Sequence, residues 1–140
     1  MKQPVLLHIR GSQKYENQEP EIIELTAVGT LEAREGGWVI SYEESELTGL
    51  AGVTSAFQVE PGKVTLSRTG ALNSQMVFQE GLVHDSLYEL PFGALMLSVN
   101  ATHVSFDIAE NGGTIDLHYD ISIENTQAGV IEYHLDIQAK

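Results

Sequence analysis

Cysteine is absent from the 140 residues, which removes disulfide staples, thiolate metal sites and thiol nucleophiles together and accords with a reducing compartment. Basic side chains are scarce. Seven Lys and Arg stand against 20 Asp and Glu, a formal charge of -13, and a surface that acidic repels phosphate backbones from nearly every direction. Nucleic acid is therefore not expected as a partner. No apolar stretch reaches the length needed to span a bilayer, and Met1 to Arg10 enters a Pro-Val-Leu-Leu-His-Ile run with no signal-like apolar region or small-residue cleavage site. The expectation is a soluble cytoplasmic protein with no membrane partner. The G-x-S-x-G, H-E-x-x-H, P-loop and G-x-G-x-x-G signatures are all missing. No enzyme activity and no cofactor are expected on that basis.

What the chain does contain is alternation of apolar and polar residues, with no helical period. Strands are predicted near 4–12, 21–33, 38–45, 53–60, 63–69, 74–82, 86–91, 93–99, 102–109, 114–124 and 129–138. Turn chemistry separates several of them: Glu35-Gly36-Gly37, Pro61-Gly62 and Asn111-Gly112-Gly113. Leu47 to Gly52 is the least strand-like stretch and reads as a loop or a flap over one barrel end. Successive half-buried strands must close their edges, so the predicted fold is all-β, a closed antiparallel up-and-down barrel of about eight to ten strands. A hydrophobic fraction of 42% supplies one core, and residues 1–140 read as a single domain.

Register sharpens the reading. Pairing Glu60 with Lys63 across Pro61-Gly62 sets Val59 opposite Val64, Phe57 opposite Leu66 and Ser55 opposite Arg68. The Arg68 guanidinium then points to the apolar interior, near Met76 if Leu66 pairs with Phe78. A buried arginine needs an internal carboxylate, a place at the rim or a ligand anion, and each alternative remains open. In the last hairpin, Ile115, Leu117, Tyr119, Ile121 and Ile123 face Ile131, Tyr133, Leu135 and Ile137. The opposite face pairs Asp116 with Asp136, His118 with His134 and Asp120 with Glu132. Two imidazoles among four carboxylates suit a divalent metal, but a solvated acidic face produces the same pattern, and no metal site is assigned. Gly29 and Gly70 read as bulges or close backbone approaches. Trp38, Tyr42, Phe57 and Phe78 share core positions and would be the first to line any cavity.

The stretch Leu66-Ser-Arg68-Thr-Gly70, Met76-Val-Phe78 and Tyr88-Glu-Leu-Pro91-Phe92-Gly93, followed by Leu-Met-Leu-Ser-Val, resembles the YwiB-like family of small bacterial proteins of unknown function. The likeness extends to the opening Pro-Val-x-x-His strand, the acidic Glu21 to Leu25 strand, Ile40-Ser-Tyr42-Glu-Glu and the closing hairpin. It departs at Leu90, where a small polar residue is usual, and in the Gly-rich Leu47 to Gly52 connection. The resemblance implies a calycin-like, lipocalin-like barrel and carries no catalytic residues. At about eight strands a barrel interior is filled by side chains or holds one small ligand. The functional expectation is non-catalytic binding of a small apolar or weakly acidic ligand, with Arg68, Ser55, Tyr42 and Tyr88 as polar contacts. The alternative is a solid-core interaction module that docks a protein through its acidic face or a strand edge. A monomer or homodimer is expected.

Overall fold

Alternation of period two becomes ten antiparallel strands and, among the described residues, no helix. The computed structural model describes residues 2–14, 19–44, 52–70, 73–90, 93–124 and 126–140, with the side chains of residues 87–90 outside that set. The strands are β1 (Lys2–Lys14), β2 (Glu21–Arg34), β3 (Gly37–Glu43), β4 (Val53–Glu60), β5 (Lys63–Gly70), β6 (Ser74–Phe78), β7 (Val83–Leu90), β8 (Gly93–Ala109), β9 (Gly112–Ile123) and β10 (Thr126–Ala139). Among the described residues no helix is long and apolar enough to cross a membrane.

The sheet order is β6-β5-β4-β3-β2-β1-β10-β9-β8-β7. Every connection is up-and-down, and the first and last strands pair from Val5–Ala139 to Lys14–Val130. The barrel is therefore nearly closed, with its one seam between the consecutive strands β6 and β7. No ladder joins them among the described residues. The seam is bridged in other ways. Gly81 N–H donates to the Ala101 carbonyl at 3.0 Å, Glu80 Oε1 accepts from Val104 N–H at 3.1 Å, and inside the barrel Phe78 of β6 packs on Tyr119 of β9 with ring centroids 4.6 Å apart.

The Pro61-Gly62 hairpin has the register expected from its turn, Glu60–Lys63 through Ser55–Arg68, with Gly62 at φ 76° where a side chain would be strained. Two other registers differ from the sequence expectation by two residues. Leu66 pairs with Met76 rather than Phe78, and Arg68 with Ser74, because no strong turn signal marks the β5–β6 connection. In the last hairpin Asp116 meets His134, and His118 meets Glu132. There, Ile123 pairs with Thr126 and a register shift between Gln127 and Gly129 adds one residue to β10. A two-residue slip preserves the face each side chain occupies, so the apolar wall survives both changes. The two strands expected at 93–99 and 102–109 are one 17-residue strand, β8. Its interruption is a bulge between Ala101 and His103 rather than a turn.

Inward-facing side chains divide the barrel along its axis. One half is filled by Phe57, Phe78, Ile40, Val64, Ile115 and Leu135, each 1% exposed or less, and Phe57 reaches Tyr133 with ring centroids 5.7 Å apart. Trp38 is partly buried against this core. Toward the other end the inward positions turn polar or small: Tyr42, Ser55, Arg68 and Gly11. The space there is not filled.

Gly29 sets how closely β2 approaches β3. A Cβ at this position would overlap the Ser41 carbonyl oxygen and stand 2.9 Å from Leu7 Cδ1 and 3.1 Å from Tyr42 Cβ. Gly29→Ala is therefore expected to destabilise the fold by about 1–3 kcal/mol through overpacking. Urea unfolding would measure this, and an unchanged midpoint would contradict the close approach.

Candidate functional site

The unfilled end of the barrel holds a cavity of about 550 Å³. Its body is apolar, with Ile9, Leu25, Leu97, Ile121, Ile123 and Ile131 in its wall; Tyr42, Glu44 and Arg68 gather on the β3–β5 side, and Ser12, Gln13, Glu21, Tyr119 and Tyr133 line it elsewhere. Period two explains the gathering. Gly29, Tyr42, Ser55 and Arg68 are successive cross-strand partners on β2 to β5 and share the inner face. Glu44 lies two residues beyond Tyr42, just past the end of β3, where its N–H donates to the Val53 carbonyl at 2.8 Å. The alternation of Trp38, Ile40 and Tyr42 thus delivers a carboxylate to the cavity. Glu44 is only 9% exposed.

Two of these polar groups are incompletely bonded. Glu44 Oε2 accepts from Ser55 Oγ at 3.2 Å and from the Tyr42 hydroxyl at 3.4 Å. Glu44 Oε1 and Arg68 Nε are buried and have no hydrogen-bond partner among the described residues. Arg68 makes no ion pair among the described residues. An unsatisfied buried donor or acceptor costs about 1–3 kcal/mol, more when charged, so these two atoms are the natural anchor points of the cavity.

Arg68 stands among three phenols. Burial raises Tyr119 to about 12, against which the Arg68 guanidinium acts. Burial likewise pushes Tyr133 well up, helped by Tyr42 beside it and opposed by Arg68. Tyr42 is raised by burial and by the Glu44 carboxylate, and Arg68 again opposes the shift. The cavity therefore offers neutral hydroxyls, one guanidinium, the buried Glu44 carboxylate and the exposed carboxylate of Glu21.

Of the residues expected from sequence to contact a ligand, Arg68 and Tyr42 line this cavity. Ser55 is fully buried behind the wall and reaches the site through Glu44. Tyr88 lies on β7 opposite Leu95, with its side chain outside the described residues. Phe57 and Phe78 fill the core instead of lining the cavity. Glu44, Tyr119 and Tyr133 line it without having been singled out for that role. Their signal was present as polar atoms at inward positions near strand ends. Residues 45–51 and 91–92, which include most of the loop or flap expected at Leu47 to Gly52 and the bend expected at Pro91-Phe92, lie outside the described residues.

The outer histidine cluster is built differently from the sequence expectation. His134 is held from both ring nitrogens, Nδ1 to Asp116 at 2.6 Å and Nε2 to Asp136 at 3.1 Å. His118 packs against His103 with the rings tilted by 53° and their centroids 5.1 Å apart. Among the described residues no group of three or more His, Asp and Glu is placed to hold a metal ion. With both imidazole nitrogens engaged, His134 has no free lone pair to offer one.

A nearly closed antiparallel barrel with a polar-tipped internal cavity defines the structural class. Residues 7–137 match the family described as Domain of unknown function (DUF1934), and the chain belongs to that family. It is 27% identical over 129 residues to the uncharacterized beta-barrel protein YwiB of Bacillus subtilis (strain 168), covering 91% of this chain and 89% of that protein. The crystal structure of the Bacillus subtilis ywiB protein superposes with a TM-score of 0.89 at 22% identity, over 99% of this chain and 93% of that one.

Two titrations test the electrostatics. The three cavity tyrosines have raised values, so their contribution to stability is complete below about pH 10 and is lost as pH rises through their folded values. Tyr119 accordingly loses its contribution between about pH 10 and about pH 12. In the native protein phenolate absorbance should develop late and together with unfolding. An early titration of all the tyrosines would contradict the buried placement. His134 is raised chiefly by its hydrogen bond to Asp116, and burial partly opposes this. Its contribution is full below about pH 6.5 and fades as pH climbs through the folded value. His134→Gln should therefore lower the denaturation midpoint more in mild acid than in mild alkali. The effect is small because the pair is over a third exposed.

Proposed function

We propose that this protein is a non-catalytic binder of a small amphiphile, held with its apolar body in the unfilled half of the barrel and its polar head at Arg68. One observation carries the reading: a guanidinium whose buried Nε has no partner among the described residues lines a mostly apolar cavity. At about 550 Å³ the cavity falls within the roughly 300–1,000 Å³ typical of small-molecule sites. A lining of aliphatic side chains with a few convergent polar groups is the usual composition of such sites. A reducing, cytoplasmic setting belongs to the same reading and is supported by the cysteine-free, acidic chain.

A second reading, a protein-docking module, draws on the outer face, where Leu6 and Val28 pair across β1 and β2 at 36% and 58% exposure. A single cross-strand apolar pair is common on protein surfaces, so the cavity carries more weight.

Native mass spectrometry of protein purified from a bacterial host separates the two. A stoichiometric added mass that vanishes on denaturation is expected. Arg68→Ala should weaken retention by about tenfold or more, the size of one lost charge-assisted hydrogen bond. Gly11→Leu should abolish retention while the fold persists, because a Cβ at Gly11 meets nothing closer than Tyr133 Cδ2 at 3.9 Å and the larger side chain would occupy the cavity. A bare mass, or retention unaffected by both substitutions, would move the assignment to the docking module.

A further inference from the structure

We infer that the head group this cavity selects carries a hydrogen-bond donor and an acceptor together and has no net charge, as a primary amide or a zwitterion does, and that Glu44 enforces the choice. This rests on the amphiphile reading above and narrows it.

Two polar atoms in one wall lack partners among the described residues: Arg68 Nε is a donor without an acceptor, and Glu44 Oε1 is an acceptor without a donor. Both residues line the cavity. Glu44 is more than nine-tenths buried, and its other oxygen is fixed by Ser55 and Tyr42, so Oε1 is left for an occupant. The two side chains lie along one stretch of wall, since Glu44 Oε2 accepts from Ser55 Oγ at 3.2 Å and Ser55 is the cross-strand partner of Arg68. Yet they make no ion pair with each other within 4.0 Å among the described residues.

Charge decides which head groups fit. A carboxylate would satisfy Arg68 but place a second negative charge near a buried one, and like charges at short range in a partly desolvated site repel strongly. An ammonium would satisfy Glu44 and meet the guanidinium in the same way. A group with a donor on one side and an acceptor on the other satisfies both atoms and leaves the local charge balanced. Sites that bury polar groups discriminate by leaving them unpaired against the wrong ligand. By this logic Glu44 is a specificity-determining residue, and a simple fatty acid is the ligand it rejects.

Four probes with the same chain length test this by titration calorimetry at neutral pH: decanoate, decylamine, decanamide and 2-aminodecanoic acid. Decanamide and 2-aminodecanoic acid are expected to bind at least about tenfold more tightly than decanoate and decylamine, the ratio corresponding to one buried group left unpaired. Glu44→Gln removes the negative charge at nearly constant shape and should raise decanoate affinity by about tenfold or more. Decanoate binding as tightly as decanamide to the wild-type protein would overturn the inference while leaving the amphiphile reading in place. The same holds for a ranking that Glu44→Gln leaves unchanged. Failure of all four probes to bind would overturn the amphiphile reading and this inference with it. The wild-type ranking decides the matter even if the variant does not fold.

Discussion

The pairing of β1 with β10 is the constraint on which the rest of the molecule depends. It joins residues more than a hundred positions apart, from Val5–Ala139 to Lys14–Val130, and turns a meander with two distant ends into a barrel. Without it β1 and β10 would both be edges, exposing unpaired backbone groups along the longest apolar walls of the sheet. With it, Val5, Leu7 and Ile9 face an enclosed interior and are 4% exposed or less. Terminal backbone extends the closure, as Lys140 N–H donates to the Pro4 carbonyl. The edge problem is moved to the β6–β7 seam. There the strands are consecutive, so a short connection holds them together and side chains can do what the ladder does elsewhere.

That arrangement explains why one half of the barrel is solid and the other hollow. Barrel diameter grows with strand number, so a ten-stranded barrel encloses more volume than an eight-stranded one and must fill it or leave it open. At the filled end Phe57 and Phe78 supply large rings, and Phe78 also braces the seam by packing on Tyr119. At the other end the inward positions go to Gly11, which has no side chain, to Ser55, which is short, and to Tyr42 and Arg68, whose polar atoms resist dry packing. Tyr119 and Tyr133 lie at the boundary. Their rings belong to the core contacts with Phe78 and Phe57, while their side chains also line the cavity. The cavity floor is therefore the roof of the core, and its shape is held by the best-packed residues in the chain.

The period-two pattern revealed which face each strand presents, and this proved the most robust part of the sequence reading. Arg68 pointed inward from the Pro61-Gly62 turn alone, and it points inward in the structure even though its neighbour on β6 is Ser74 and not the residue expected. Pairing partners were less legible because they depend on connection length and bulges, which leave little trace in composition. The last hairpin closes at Ile123–Thr126, and with the one-residue shift between Gln127 and Gly129 this sets His118 opposite Glu132 instead of His134. The bulge at Ala101 looks like a strand end in the sequence for the same reason. Glu44 does not stand out in the sequence because acidic residues are abundant in this chain. What distinguishes it from the other carboxylates is its place two residues beyond Tyr42 on an inward alternation, and that becomes decisive only once β3 is known to end beside the cavity.

Charge links the exterior to the interior. The chain carries a formal charge of -13, and Glu21 stands exposed at the cavity wall near its mouth. A negative field over the mouth lowers the local concentration of anions and slows their approach, whatever the interior offers them. Inside, the Arg68 guanidinium is offset by Glu44, so an anion that did arrive would find one favourable partner and one opposed to it. Were the cavity built for simple organic anions, the economical arrangement would be a guanidinium among neutral phenols with no carboxylate near it. The chain instead buries Glu44 and ties it in place with Ser55 and Tyr42, at the cost of a desolvated charge. A buried carboxylate with one oxygen anchored and the other left open has a physical rationale when the occupant brings a donor to it. The outer field and the inner pair thus favour the same proposed kind of guest, one that is uncharged overall and polar at one end.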